Sequence, residues 1–270
     1  MSSMTHSSVT RSPMDISAWP ILIRMLGDFR LLQAGQPVSI RAGSKTEGLL
    51  AHLALQNGHR APRERLIQWL WPNSDLDSGL HSLNTQVYAV NKLLRPALVA
   101  HMPIVHEDGH YRLNVECGIG VDVEWFDRYA KSGDELTRSG HPEQALNAYR
   151  SAIDLYQGDL CVSSSTHSIV ERERLRARYL SLLSQVADHF FRVGDLDICL
   201  DYIWRLLARD PCREDAHRLA MRCFVRRGER AAAFHQYRVC TDMLRTDLGI
   251  EPEPATRALL DQIRMGAPGH

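Results

Sequence analysis

Apolar and polar positions follow two different grammars along the chain, and the change falls near residue 121. From Trp19 the text reads as strand, turn, strand: ILIRMLGDFRLL, a Gly35-Gln36-Pro37 turn, then VSI, so a small sheet is expected to open the fold. In SKTEGLLAHLAL, Ser44 and Glu47 have capping-box spacing, which predicts a helix running toward Asn57-Gly58. A second helix is expected over APRERLIQWLWP, with Pro62 in its first turn and Pro72 as its stop. The third runs from about Asp77 to Arg95 and is limited by Pro96. PIVHEDGHYRLN then predicts a hairpin, because Asp108-Gly109 is a dipeptide that tight primed turns favour. Strands, three helices and a hairpin, in that order, describe a winged helix whose wing is the hairpin.

At about 100° per residue, Leu80, Leu83, Val87, Val90 and Leu94 of the third helix fall within roughly 80° of arc and can anchor it on the other two. His81, Asn84, Thr85, Tyr88, Asn91, Lys92 and Arg95 fall on a separate arc of about 120°. Asn can bond adenine bidentately, Thr can touch a thymine methyl, and Arg reads guanine or holds phosphate, so this face suits a DNA major groove. Any solvated helix also carries a polar arc. Context separates the two readings: the helix is third in a winged unit, Arg112 follows in the hairpin, and Lys45, Arg63 and Arg65 precede it.

Beyond Val121 the pattern is one of long amphipathic helices. Gly194 and Gly228 are 34 residues apart, the period of a tetratricopeptide unit. At five, six and nine residues after Gly140, Gly194 and Gly228 stand Ala145-Leu146-Tyr149, Cys199-Leu200-Ile203 and Ala233-Phe234-Tyr237. A small residue at a close crossing, followed by bulky ones on the same stripe, fits helical hairpins with Gly at the turn. Gly140 precedes Gly194 by 54 residues, so an insertion is expected around Tyr156 to Ser168. An ordinary bundle with coincidental glycine spacing is the alternative. The fold class read here is mostly α: a disordered tail over 1–17, an N-terminal winged helix (α+β) over 18–115, and an all-α tetratricopeptide-like domain over 122–265.

Charge refines this picture. The 270 residues sum to zero, which argues against an indiscriminate polycation. Residues 18–115 hold ten Lys/Arg against seven Asp/Glu, a net of +3, and residues 122–265 hold 21 against 23, a net of −2. On the polar face of the third helix only Lys92 and Arg95 are dependable cations, so weak non-specific binding is expected from one subunit. Useful affinity would then need two subunits or a second protein on the same DNA.

Other chemistry is sparse. Six cysteines lack a C-x-x-C pair and read as reduced, packed thiols; His101, His106 and His110 lack metal-site spacing, so no metal or other cofactor is expected. VSSSTHS, 162–168, lacks G-x-S-x-G and reads as a flexible loop, and no phosphate-binding G-x-x-x-x-G-K-[ST] loop occurs, so an enzyme is not expected. ERERLRAR, 171–178, reads as a solvent-facing charged helix, with partner binding by its arginines as the alternative. The absence of signal-peptide and bilayer-length apolar runs predicts a cytoplasmic protein without a membrane partner.

YRVCTDMLRTDLGIEPEPATRALLDQI, 237–263, with VDVEWFDR, 121–128, and the helices SKTEGLLAHLAL and RERLIQWLWP, resembles transcriptional regulators of the Streptomyces antibiotic regulatory protein type. These join an OmpR-like winged helix to a bacterial transcriptional activator domain. The resemblance, over about 18–265, implies binding of double-stranded DNA through the third helix and wing, often by a homodimer on direct repeats, and recruitment of RNA polymerase to activate transcription. It makes Lys45, Lys92, Arg95 and Arg112 phosphate-contact candidates, which join Arg63, His81, Asn84, Thr85, Tyr88 and Asn91 in the expected DNA-binding set. Tyr111 fits the family's Gly-x-Tyr-x-Leu pattern as a packing residue. Where relatives commonly place arginines along the third helix, this chain has Asn84, Ala89 and Asn91. That departure supports an alternative function, a protein-binding adaptor with a degenerate winged helix.

Overall fold

The computed structural model describes residues 19–98, 101–161 and 166–266, with the side chains of 166 and 167 excepted. The expected 1–17 tail lies outside them. Two compact units are present, the first reaching Lys131 and including Asp154–Leu175, the second comprising Ser132–Ile153 and the residues from Arg176 onward.

In the first unit the opening sheet has four strands: β1 (Ile21–Arg24), β2 (Arg30–Gln33), β3 (Gln36–Val38) and, from far along the chain, β7 (Ile119–Val121), in the order β3-β2-β1-β7. The segment expected as one leading strand is broken between β1 and β2, because its backbone groups are bonded elsewhere. Met25 N donates to both carboxylate oxygens of Asp122 (2.9 and 2.8 Å) and Leu26 N to one of them (2.9 Å). Leu26 bridges to Leu160, and Gly27 N donates to Asp159 O. The following turn is also displaced from its expected position: Ala34 and Gly35 take φ of 46° and 78°, and Gln36 and Pro37 already belong to β3.

Helix α1 (Lys45–Leu55) starts as the spacing predicts. Ser44 Oγ accepts from Glu47 N, and the Glu47 carboxylate accepts from Gly43 N, one residue earlier than in the usual capping box. Helix α2 (Arg63–Leu70) has Pro62 as its N-cap residue, and α3 (Leu76–Leu94) begins after Asp75, whose carboxylate accepts from Ser78 N. The wing consists of β5 (Ile104–Glu107) and β6 (His110–Leu113), joined by Asp108 and Gly109 with φ of 49° and 73°, the geometry of a primed turn. A third wing strand, β4 (Arg60–Pro62), pairs with β6 and had no pattern in the sequence.

On α3 the apolar stripe is buried at Leu83, Val90 and Leu94. Helices α2 and α3 cross at Gly79, where a Cβ would stand 2.3 Å from Ile67 Cγ2. The β-branched Ile67 is itself buried in the core and cannot swing aside. Gly79→Ala is therefore expected to destabilise the chain by about 1–3 kcal/mol despite alanine's better helix propensity, read as a lower urea midpoint.

Helix α4 (Asp122–Arg138) opens the helical part, followed by α5 (Pro142–Leu155), α6 (Thr166–Val193), α7 (Leu196–Leu207), α8 (Glu214–Arg226), α9 (Arg230–Met243) and α10 (Pro254–Met265). Gly140, Gly194 and Gly228 sit at the turns within successive helix pairs with φ of 80°, 88° and 78°, the left-handed conformation that ends a helix. The small residues Ala145, Cys199 and Ala233 are all buried. The insertion includes the return of residues 156–161 to the first unit, where Tyr156 and Leu160 are buried. Of the expected 162–168 loop, 162–165 lie outside the described residues, and Thr166–Ser168 instead forms the first turn of α6.

The ERERLRAR face is not a row of free cations. Arg172 and Arg176 donate to the carbonyls of Leu160 and Arg209, Arg174 forms a bidentate pair with Asp127 (2.9 and 2.6 Å), and Arg178 bonds Asp134. The C-terminal signature has a similar structural basis. Glu214, itself buried, accepts from Glu253 N and Thr256 Oγ1, which fixes the Glu-Pro-Glu-Pro turn and the start of α10 on α8.

Candidate nucleic-acid interface

The stripe that buries α3 leaves an outward row. His81, Asn84, Thr85, Tyr88, Ala89, Lys92 and Arg95 are exposed, and Tyr88 retains 70 % of its surface, unusually much for an aromatic residue without a use in solvent. Among the described residues the Lys92 and Arg95 side chains have no ion-pair partner, so both charges are available.

Asn91 must be removed from the expected set. It is only 7 % exposed, and its amide exchanges hydrogen bonds with the buried backbone of Ile104: Ile104 N donates to Oδ1 (2.8 Å) and Nδ2 donates to Ile104 O (3.0 Å). A helical wheel places Asn91 at the margin of the polar arc. Strand β5, which arrives 13 residues later, covers that margin.

Asn84 remains exposed but is held. Tyr111 Oη donates to Asn84 Oδ1. Burial pushes the Tyr111 phenol above its ordinary pKa, which keeps the hydroxyl protonated as the donor. Tyr111 is thus a packing residue, as expected, and also a positioning residue whose hydroxyl orients a neighbour. Thr85 Oγ1 donates to His81 O at 2.9 Å, so its hydroxyl hydrogen is spent on its own helix.

The supporting cations are differently placed. The Lys45 ammonium donates to Leu70 O and lies 5.8 Å from the Trp71 ring centroid, and so caps the C-terminal end of α2. Arg63 pairs with Glu64 at 2.8 Å, which raises the pKa of the guanidinium and lowers that of the carboxyl. Arg112 lies in the wing directly opposite Arg60 of β4. Directly opposed residues of an antiparallel pair share a sheet face, so like charges meet here, an arrangement that an anion would relieve. Arg60 escaped the sequence reading because a strand of three residues carries no usable alternation.

Among the described residues no three His, Cys, Asp or Glu side chains converge as a metal set would, and no helix is long and apolar enough to cross a membrane. Cys199 and Cys223 are buried thiols with sulfurs 3.5 Å apart.

The family model of the bacterial transcriptional activator domain matches residues 121–264. Regulatory protein AfsR of Streptomyces coelicolor is 26% identical over 246 residues, which cover 90% of this chain but 24% of AfsR, so the chain spans about a quarter of that relative. Regulatory protein DnrI of Streptomyces peucetius is 28% identical over 255 residues, covering 92% of this chain and 93% of DnrI. Among solved structures, Mycobacterium tuberculosis EmbR, in complex with a low affinity phosphopeptide, superposes with a TM-score of 0.75 at 21% identity over 93% of this chain and 67% of EmbR, a likeness of fold.

Proposed function

The chain belongs to the bacterial transcriptional activator domain family, and from that premise we propose that it is a sequence-specific regulator of transcription that binds double-stranded DNA by laying α3 in the major groove. The observation that carries this reading is the outward row of α3, with Tyr88 exposed and Lys92 and Arg95 uncompensated, opposite a buried leucine and valine stripe. Residues 18–115 contact DNA. Residues 122–265 make the protein contacts: with a second copy of the chain, and with RNA polymerase as an activator would. The modest charge of the face supports a need for linked subunits, because few counterions are released per subunit.

Lys92, Arg95 and the Arg60–Arg112 pair of the wing position phosphates. Each phosphate contact contributes about 0.9 to the slope of log affinity against log salt. Lys92→Ala with Arg95→Ala in the full chain is expected to weaken binding to all duplexes alike and to flatten that slope by roughly two units per bound subunit. Fluorescence anisotropy across a salt series measures both effects, and an unchanged slope contradicts the assignment. The burial of Asn91 favours a second reading, an adaptor that binds protein through a degenerate winged helix. In that case a random duplex pool yields no retained DNA.

A further inference from the structure

One surface of the helical half runs against the charge around it. Between α9 and α10 lies a groove of 350 Å³ lined by Phe234, Tyr237, Arg238, Leu260 and Arg264. Its apolar lining is aromatic and aliphatic, and both charged residues in it are cations, although residues 122–265 sum to −2. Arg238 is exposed and, among the described residues, has no ion-pair partner. Arg264 pairs only with Asp261, at 3.4 Å and with both side chains exposed, an arrangement that contributes little. The C-terminal carbonyls of α10 at Ile263 and Arg264 accept from Arg230, so the negative end of that helix is already covered by a third guanidinium. Such a groove suits an acidic segment with one apolar anchor.

The chain itself carries a segment of that kind. Residues 72–78, PNSDLDS, are exposed throughout, and Leu76 keeps 64 % of its surface in solvent. Asp75 and Asp77 flank it, and no Lys or Arg occurs between Arg65 and Lys92, within a half of the chain that sums to +3. The Asp75 carboxylate accepts from Ser78 N, which lowers its pKa and keeps it ionised. Capping and the first turn of α3 account for the aspartates. They do not account for an exposed leucine between them. The acidic loop in the positive half and the cationic groove in the negative half are each an exception to their own background and the complement of the other.

We propose that Leu76 of one copy of the chain seats in the α9–α10 groove of another, with Asp75 and Asp77 meeting Arg238 and Arg264. The inference rests on, and deepens, the reading above in which residues 122–265 contact a second copy. Two different surfaces meet, so the contact is heterologous: a copy whose groove is filled still offers its own loop to a third. One leucine and two ion pairs bury less than a standard interface, so a Kd on the order of ten to a hundred micromolar is expected.

Sedimentation equilibrium of the full chain, at concentrations spanning that Kd, tests the contact. Leu76→Ser removes the anchor and should weaken association about tenfold or more, from the transfer free energy of one buried leucine. Arg238→Glu with Arg264→Glu sets like charge against the aspartates and should abolish it. All three positions are exposed, so the urea midpoints should match that of the natural chain. Mixed together, the two variants should associate again with the natural Kd and stop at two copies. One supplies an intact groove, the other an intact loop, and the surfaces left over are both disabled. Folded variants that associate as the natural chain does, or that stay monomeric when mixed, overturn the docking of Leu76 and leave the second-copy reading standing. So does a groove variant that self-associates normally but loses affinity for RNA polymerase, because the groove then serves an outside partner. A natural chain that stays monomeric both alone and on the duplexes it retains overturns the docking and the second-copy reading together.

Discussion

Asn91→Ala is expected to lower the unfolding free energy by about 2–4 kcal/mol, because it orphans a backbone N–H and C=O at Ile104 that are buried without another partner. Each such group costs about 1–3 kcal/mol to leave unpaired, and alanine's helix propensity returns only a few tenths. The loss should appear as a lower urea midpoint. The folded fraction should bind DNA with unchanged base preference, since Asn91 touches the wing strand rather than the groove. A variant of native stability with lost binding would restore Asn91 as a reader. The comparison separates the two roles a polar residue can have on this helix.

Asp122→Ala should have a comparable effect, about 2–4 kcal/mol, by stripping the acceptors from Met25 N and Leu26 N. Asp122 is almost wholly buried, and burial pushes its carboxyl from 3.8 up to about 6, against the weaker downward pull of the amides that bond it. The sign of the pH effect follows. The native carboxyl holds a proton between about pH 4 and 6, where the unfolded one has released it, so its contribution is complete below 3.8 and is lost as pH rises through about 6. Asp122→Asn keeps the size and removes the titration. The stability margin of the natural chain over Asp122→Asn should therefore shrink by up to about 3 kcal/mol across that window. Urea unfolding of both proteins at several pH values measures it, and a margin independent of pH contradicts the account.

The sequence was informative wherever a residue's role is set by its near neighbours. Ser44 caps its helix through the amide three residues on, Asp108-Gly109 supplies the left-handed pair its turn requires, and Gly140, Gly194 and Gly228 end helices as their spacing implied. What was not legible depends on distant chain. Strand β7 pairs with β1 across most of the first unit, and β4 is held by backbone bonds that leave no periodic trace. The break after Arg24 exists because Asp122, 97 residues from Met25, takes its amide.

The candidate site shows the same division. Periodicity located the outward row of α3, but it assigns angles, not partners. Asn84 and Asn91 read alike as groove-facing amides until the wing strands supply Tyr111 to one and Ile104 to the other. On 171–178 the near-neighbour pairing of Arg174 with Glu171 was readable from spacing, whereas the further partners, Asp127 of Arg174, Asp134 of Arg178 and the Arg209 carbonyl of Arg176, lie on other elements. Residue type sets the chemistry available, and tertiary partners decide how much of it faces outward.

The most direct measurement of the central claim is photocrosslinking of the full chain to retained duplexes carrying 5-iodouracil in place of thymine, followed by identification of the linked peptide. Entry of α3 into the major groove predicts crosslinks within residues 81–95, led by the exposed Tyr88 ring. Crosslinks confined to other segments, with none on α3, would contradict it.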